Sequence, residues 1–214
     1  MLTIRREAAA DRQTVEDVTR RAFYNIYAPG CVEHYLVRTM RDHPDFIPEL
    51  DFVAELDGLV IGNVMYTKAT LTGEDGTVKD ILTFGPVSIA PEHQRKGYGK
   101  RLLEHSFRRA AELGWDVIVI FGSPANYVGL GFKSCKKFNI CTENGRFPSA
   151  MMGKELKAGA LDGRRWVYRD SPVMSIDEDQ ARRYDDTLEH MAKEFRPSQE
   201  EFYIMSHSSV EDEV

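Results

Sequence analysis

Apolar residues recur along this chain in two rhythms, every second position or every third to fourth. Leu2 and Ile4 alternate with polar neighbours and predict a first strand. From Asp11, placed as a helix N-cap, Val15, Val18 and Ala22-Phe23 follow helical spacing until Ala28-Pro29-Gly30 breaks it. Val32, Leu36 and Met40 predict a second helix starting near Cys31 and ending at His43-Pro44. The runs 52–56 and 59–66 flank Asp57-Gly58, a strong hairpin signal, and a turn over 72–76 returns the chain into a strand ending at Ile89. Leu102-Leu103, Phe107, Ala110-Ala111 and Leu113 predict a long helix closed by Gly114. The Val/Ile run after Asp116 predicts a buried strand that stops at Gly122, with a short helix behind it. Strands that alternate with helices after a meander predict an α/β fold, a mixed, mostly antiparallel twisted sheet with helices on its faces.

With 214 residues, 42% of them hydrophobic, the chain can bury one sizeable core. Residues 1–172 are expected to form that domain. Residues 173–214 read as an acidic appendage, with helical spacing in Ala181, Tyr184, Leu188, Met191-Ala192 and Phe195, and an end without structure from Ser208 to Val214. No apolar run approaches the roughly 18 residues that suggest a membrane span, and the N-terminus is charged from Arg5, so a cytoplasmic protein without membrane attachment is expected. Cys31, Cys135 and Cys141 form no Cys-x-x-Cys pair, and the six histidines show no ligand spacing, so neither a disulfide framework nor a metal site is expected.

The net charge of −6 is unevenly distributed. Residues 177–214 hold twelve Asp or Glu against four Lys or Arg, so the preceding residues carry about +2. Between Arg95 and Arg109 there are six Lys or Arg against Glu104 alone, a local field that suits phosphates. No basic stripe interleaved with aromatics is present, which disfavours nucleic acid as a partner.

That basic stretch includes Gln94-Arg95-Lys96-Gly97-Tyr98-Gly99, a glycine-rich turn feeding a helix start. Glycines allow close backbone approach and positive φ, and a helix start adds unpaired N–H groups. The spacing is neither that of a Walker loop nor of a dinucleotide fingerprint. It resembles the acyl-CoA loop of the GNAT superfamily of N-acetyltransferases. A second segment, Ser123-Pro124-Ala125-Asn126-Tyr127-Val128-Gly129-Leu130-Gly131-Phe132, is similar to that family's Tyr four residues before Gly-Phe. The likeness covers about residues 2–170.

The resemblance implies the GNAT fold and transfer of an acetyl group from acetyl-CoA to a primary amine, on a small molecule or a protein, by direct attack in a ternary complex. A non-catalytic acyl-CoA-binding module is the alternative. It implies that the backbone of Val87, Ser88 and Ile89 pairs with the pantetheine arm, and that amides of Gln94, Arg95, Lys96, Gly97, Tyr98, Gly99 and Lys100 cradle the pyrophosphate. Asn126 would reach the cofactor, the Val87 N–H would meet the thioester carbonyl, and Tyr127 would protonate the leaving thiolate. No metal is implied. Some members carry a Glu where this chain has Thr83, so the base is left open among held water, Glu55, Asp80 and His93. Acceptor contacts are implied for Phe23, Tyr24, Tyr27 and the segment 144–148. The acidic appendage is left with three roles: cover for the acceptor cleft, contact in a homodimer, or solvated tail.

Overall fold

The computed structural model describes residues 1–211. Strand β1 (Leu2–Arg6) is followed by helices α1 (Arg12–Phe23) and α2 (Glu33–Met40). The meander β2 (Phe52–Leu56), β3 (Leu59–Gly73) and β4 (Val78–Ile89) then leads into α3 (Tyr98–Glu112), β5 (Val117–Phe121) and the short α4 (Pro124–Tyr127). Strands β6 (Lys133–Ser134), β7 (Ile140–Cys141), β8 (Met151–Glu155) and β9 (Trp166–Arg169) complete the sheet, and α5 (Glu178–Asp185) and α6 (Pro197–His207) follow. The main order of strands is β1-β2-β3-β4-β5-β8-β6, with β9 pairing the far end of β3 and β7 pairing β9.

The hairpin signal is realised as expected. Asp57 and Gly58 both take positive φ, 51° and 86°, the conformation that fits a tight turn to twisted strands. Strand periodicity then sorts side chains between two layers. Phe52 and Ala54 join the core under α3, with Val64, Tyr66, Leu82 and Phe84, whereas Val53 between them packs with Val15, Leu36, Val37 and Met40 of α1 and α2. Asp11 does not cap α1. Its carboxylate instead accepts from the Ala8 N–H at 2.7 Å and pairs with Arg5 at 2.6 Å, which fixes the turn before the helix.

Two features of the sheet position the site. Opposite β3, the β4 register advances from Phe84 to Val87 while β3 advances from Tyr66 only to Val64, so β4 carries a bulge at Gly85-Pro86. Proline has no N–H for the ladder and suits such a place. On its other side β4 meets β5 in parallel through a single register pair, Leu82 with Ile118. Beyond that pair no further β4–β5 partner is found, and among the described residues no strand pairs the β5-facing edge of Pro86–Ile89.

The C-terminal segment departs from its sequence pattern. Helix α5 ends at Asp185, and residues 187–196 are not helical despite the spacing of Leu188, Met191 and Phe195. Their carbonyls are taken by side chains instead: Glu189 O by Arg20 (2.9 Å), Met191 O by the Tyr24 hydroxyl (2.9 Å), Ala192 O by Asn25 (2.9 Å) and Glu194 O by Gln199 (2.9 Å). Helix α6, which no apolar stripe announced, starts with Pro197 at its first position. The expectation of an unstructured end from Ser208 does not hold for Ser208–Val210: Ser208 O accepts from Ser149 N at 3.0 Å and Val210 N donates to Phe147 O at 2.8 Å. Residues 212–214 lie outside the described residues.

Candidate active site

The turn between β4 and α3 has the backbone its glycines suggested. Arg95 and Gly97 are left-handed, with φ of 59° and 82°, and Gly97 is the N-cap of α3 without a side-chain cap. Such alternation turns successive N–H groups toward one point. Among the described residues no acceptor is found for the N–H groups of Arg95 and of Gly97 to Lys100; the first intrahelical bond is Arg101 N to Gly97 O at 3.1 Å. The side chains of Arg95, Lys100 and Arg101 are exposed around this concavity. Two others are used to shape it: Gln94 Nε2 holds Ile89 O at 2.9 Å, and Lys96 Nζ holds Glu92 O at 2.7 Å.

The turn lies against the open edge of β4. Val87 and Ile89 direct their side chains to the α3 layer, where Tyr98 and Tyr127 also pack. Ser88 points to the other face and is buried, its hydroxyl bonded to Asn63 and 3.3 Å from Thr19 Oγ1 on α1. Its side chain is therefore committed to the core and its carbonyl lies toward Gly62 of β3, so the backbone groups on the open edge belong to Val87 and Ile89. Gly62 on β3 permits this closeness, because a Cβ there would collide with Ile89 and the Ser88 carbonyl.

Tyr127 is the last residue of α4. Its ring packs on Phe84 and Phe132, each 5.8 Å away between centroids. The ring also lies over Gly122, where an added Cβ would be 2.6 Å from Tyr127 Cε2. No hydrogen-bond partner for its hydroxyl is found among the described residues. Burial, and then the neighbouring Tyr27, push its phenol above the ordinary range, so it is a neutral donor at physiological pH. Asn126, one residue earlier, is exposed and its amide side chain is uncommitted.

The residues considered for a base separate clearly. Thr83 is buried on β4. Asp80 stands seven residues before Val87, roughly 23 Å away along an extended strand, and Glu55 is spent on Arg5 at 2.7 Å. His93 remains at the mouth of the turn, half-buried against Tyr98.

Of the residues considered for the acceptor, Phe23 and Tyr27 line a cavity of about 340 Å³ with Glu33, Lys193 and Phe202. Tyr24 does not belong to it, since its buried hydroxyl anchors Met191 O. Asn144 lines a separate depression beside Phe121 and Tyr168. Sequence reasoning passed over Glu33, Gly122 and Phe202. Glu33 reads as an ordinary first-turn acid, Gly122 as a strand stop, and Phe202 lies in a helix without an apolar stripe. Among the described residues no three His, Cys, Asp or Glu side chains gather as a metal set.

The family model for the acetyltransferase (GNAT) family matches residues 20–132, which contain the turn, the open edge and Tyr127. The chain belongs to this family. Among curated relatives it is 28% identical over 127 residues to the uncharacterized N-acetyltransferase YjhQ of Escherichia coli K12, covering 59% of this chain and 66% of YjhQ, just under two thirds. It is 26% identical over 163 residues to the uncharacterized N-acetyltransferase YhbS of the same strain, covering 76% of this chain and 92% of YhbS. Solved GNAT structures share the fold. That of E. coli YhbS in complex with CoA superposes with a TM-score of 0.70 at 23% identity, over 82% of this chain and 93% of that one. A Brucella melitensis GNAT acetyltransferase in complex with acetyl-CoA gives 0.65 at 21% identity, over 82% and 99%.

Proposed function

We propose that the protein transfers the acetyl group of acetyl-CoA to a primary amine, with both substrates bound together. One observation carries the reading: among the described residues the turn from 95 to 100 offers N–H groups without an acceptor next to the Val87 and Ile89 edge of β4, which no strand pairs, and the Tyr127 ring packs on Phe84 of the same strand. The amides of the turn, the positive end of α3 and the exposed Arg95, Lys100 and Arg101 would hold the pyrophosphate. The edge of Val87–Ile89 would bond the pantetheine arm as an added strand does. The Val87 N–H is the donor we assign to the thioester carbonyl as negative charge develops on it, and Asn126 a contact to the arm.

The attacking amine must be neutral. It bonds to the thioester carbon, the carbon–sulfur bond breaks, and Tyr127 donates its proton to the departing thiolate. The proton released by the nitrogen restores the phenol, so the protein ends unchanged. The related structures with CoA and acetyl-CoA support this choice of donor substrate. Thr83 favours a second reading, a non-catalytic acyl-CoA-binding module, because no carboxylate stands at that position of β4.

Titration calorimetry with acetyl-CoA and thiol release over a panel of amines separate the two. Gly97→Val forces a β-branched residue into left-handed backbone and should weaken acetyl-CoA binding about 10-fold or more. Tyr127→Phe should leave that binding intact and slow thiol release by about 10²-fold or more. Unchanged turnover in Tyr127→Phe would remove the acid, and binding without turnover on any amine would leave the module.

A further inference from the structure

The helix α6 spans the acceptor side of the molecule. Near its start, Ser198 Oγ donates to Ile26 O at 2.9 Å and Gln199 Nε2 to Asn25 O at 3.1 Å, both in the loop between α1 and α2. Beyond its end, Ser208 and Val210 bond to Ser149 and Phe147, on the segment leading into β8. Between these ties Phe202 stacks on Tyr27 with centroids 4.4 Å apart. The helix thus crosses from one wall to the other, with the cavity of Phe23, Tyr27, Glu33 and Phe202 beneath it.

Inside this cavity one charge is uncompensated. Glu33 Oε2 accepts from the Val32 N–H at 3.0 Å, and no Lys, Arg or His pairs with the carboxylate among the described residues. The other charges facing the cavity are placed differently. Asp185 is taken by Arg20 at 2.7 Å and Arg182 lies by Asp179 at 3.5 Å, while Glu178 and Lys193 are exposed and screened by water. Burial raises the carboxyl of the half-buried Glu33. Burial and then Glu33 raise the Tyr27 phenol, as burial and then Tyr27 raise that of Tyr127, so this wall of the cavity lies near the proposed acid.

We propose that this cavity is the acceptor site for a small primary amine with an apolar, ring-sized body, whose ammonium group pairs with Glu33 on entry and gives one proton to water before the neutral amine attacks, while the body lies between Phe23, Tyr27 and Phe202. The inference rests on the acetyl-transfer reading and narrows it to small molecules that the cavity can hold. A volume of about 340 Å³ lies at the lower end of small-molecule pockets. Aromatic faces attract a cation, and a carboxylate already shielded from water gains more from an ammonium than an exposed one does.

The test uses full-length protein preloaded with CoA and three probes of one shape: phenethylamine, phenethyl alcohol and phenylacetate. Calorimetry should show the amine bound at least 10-fold more tightly than the alcohol, and the acid not bound. Glu33→Gln should erase the preference for the amine and leave CoA binding unchanged. Phe202→Ala, which keeps the carboxylate, should weaken all binding of the ring by about 10-fold while the preference of amine over alcohol survives. If CoA binds but the amine does not, or binds equally to Glu33→Gln, the acceptor assignment falls and the transfer reading stands. If CoA itself fails to bind, the transfer reading fails first.

Discussion

Tyr127 is kept in place by what is missing beneath it. The α-hydrogen of Gly122 leaves room for the ring, and any Cβ would enter the space of Cε2. Gly122→Ala should displace the phenol rather than unfold the strand, because Phe84 and Phe132 still offer the ring a surface. We expect acetyl-CoA affinity within about twofold of the parent and a fall in thiol release of about 10- to 100-fold, read by steady-state kinetics. Position 127 itself was legible from its spacing before Gly131-Phe132. The dependence on Gly122 was not, since it arises from a contact between a strand end and the next turn. The same limit hid Glu33: nothing local marks a first-turn carboxylate as shielded until Phe202 arrives from 169 residues away.

At the scale of elements, α5 is fastened to α1 through buried charge. Arg20 Nε bonds Asp185 Oδ1 at 2.7 Å with both side chains under one-tenth exposed, and the Arg20 guanidinium also lies 5.2 Å from the Tyr24 ring centre. Removing one partner strands the other away from water, so Asp185→Ala should cost about 3–5 kcal/mol in urea denaturation. The double variant Arg20→Met/Asp185→Leu should recover most of that loss. The neighbouring His34 is held neutral chiefly by burial, so this anchor does not depend on histidine charge. Helices α1, α2 and α3 follow the sequence rhythm because each buries an apolar stripe, while the apolar runs of β3 and β5 are buried on both faces. The stretch 187–196 fails to become a helix because its carbonyls meet Arg20, Tyr24 and Asn25 first, and no spacing rule sees that competition.

For the molecule as a whole, one buried carboxylate should tilt the dependence of stability on pH. Asp51 sits at the entry to β2, and burial, with Glu7 beside it, pushes its carboxyl up to about 8. Glu7 is itself clamped by Arg41 at 2.8 Å and 3.0 Å, which leaves Asp51 Oδ1 without a donor. The folded state therefore keeps the Asp51 proton to higher pH than the unfolded chain does. Its contribution is most favourable below the ordinary carboxylate range and is lost as pH rises toward 8. Asp51→Asn should lack that decline: we expect it to be about 1–3 kcal/mol more stable than the parent at pH 8.5, with the gap closing by pH 5, in urea titrations at both values. A fixed gap at both pH values would place the effect in packing instead.

The lone register pair between β4 and β5 also bears on how the fold coheres. The two halves of the sheet meet like boards joined by one dowel, while α3 braces them from behind. A molecule laid into the seam would supply the cross-links that the polypeptide omits, and so become part of the scaffold for as long as it stays. Under the proposed function the acyl carrier would be a temporary strand, and its departure would return the two halves to their looser partnership.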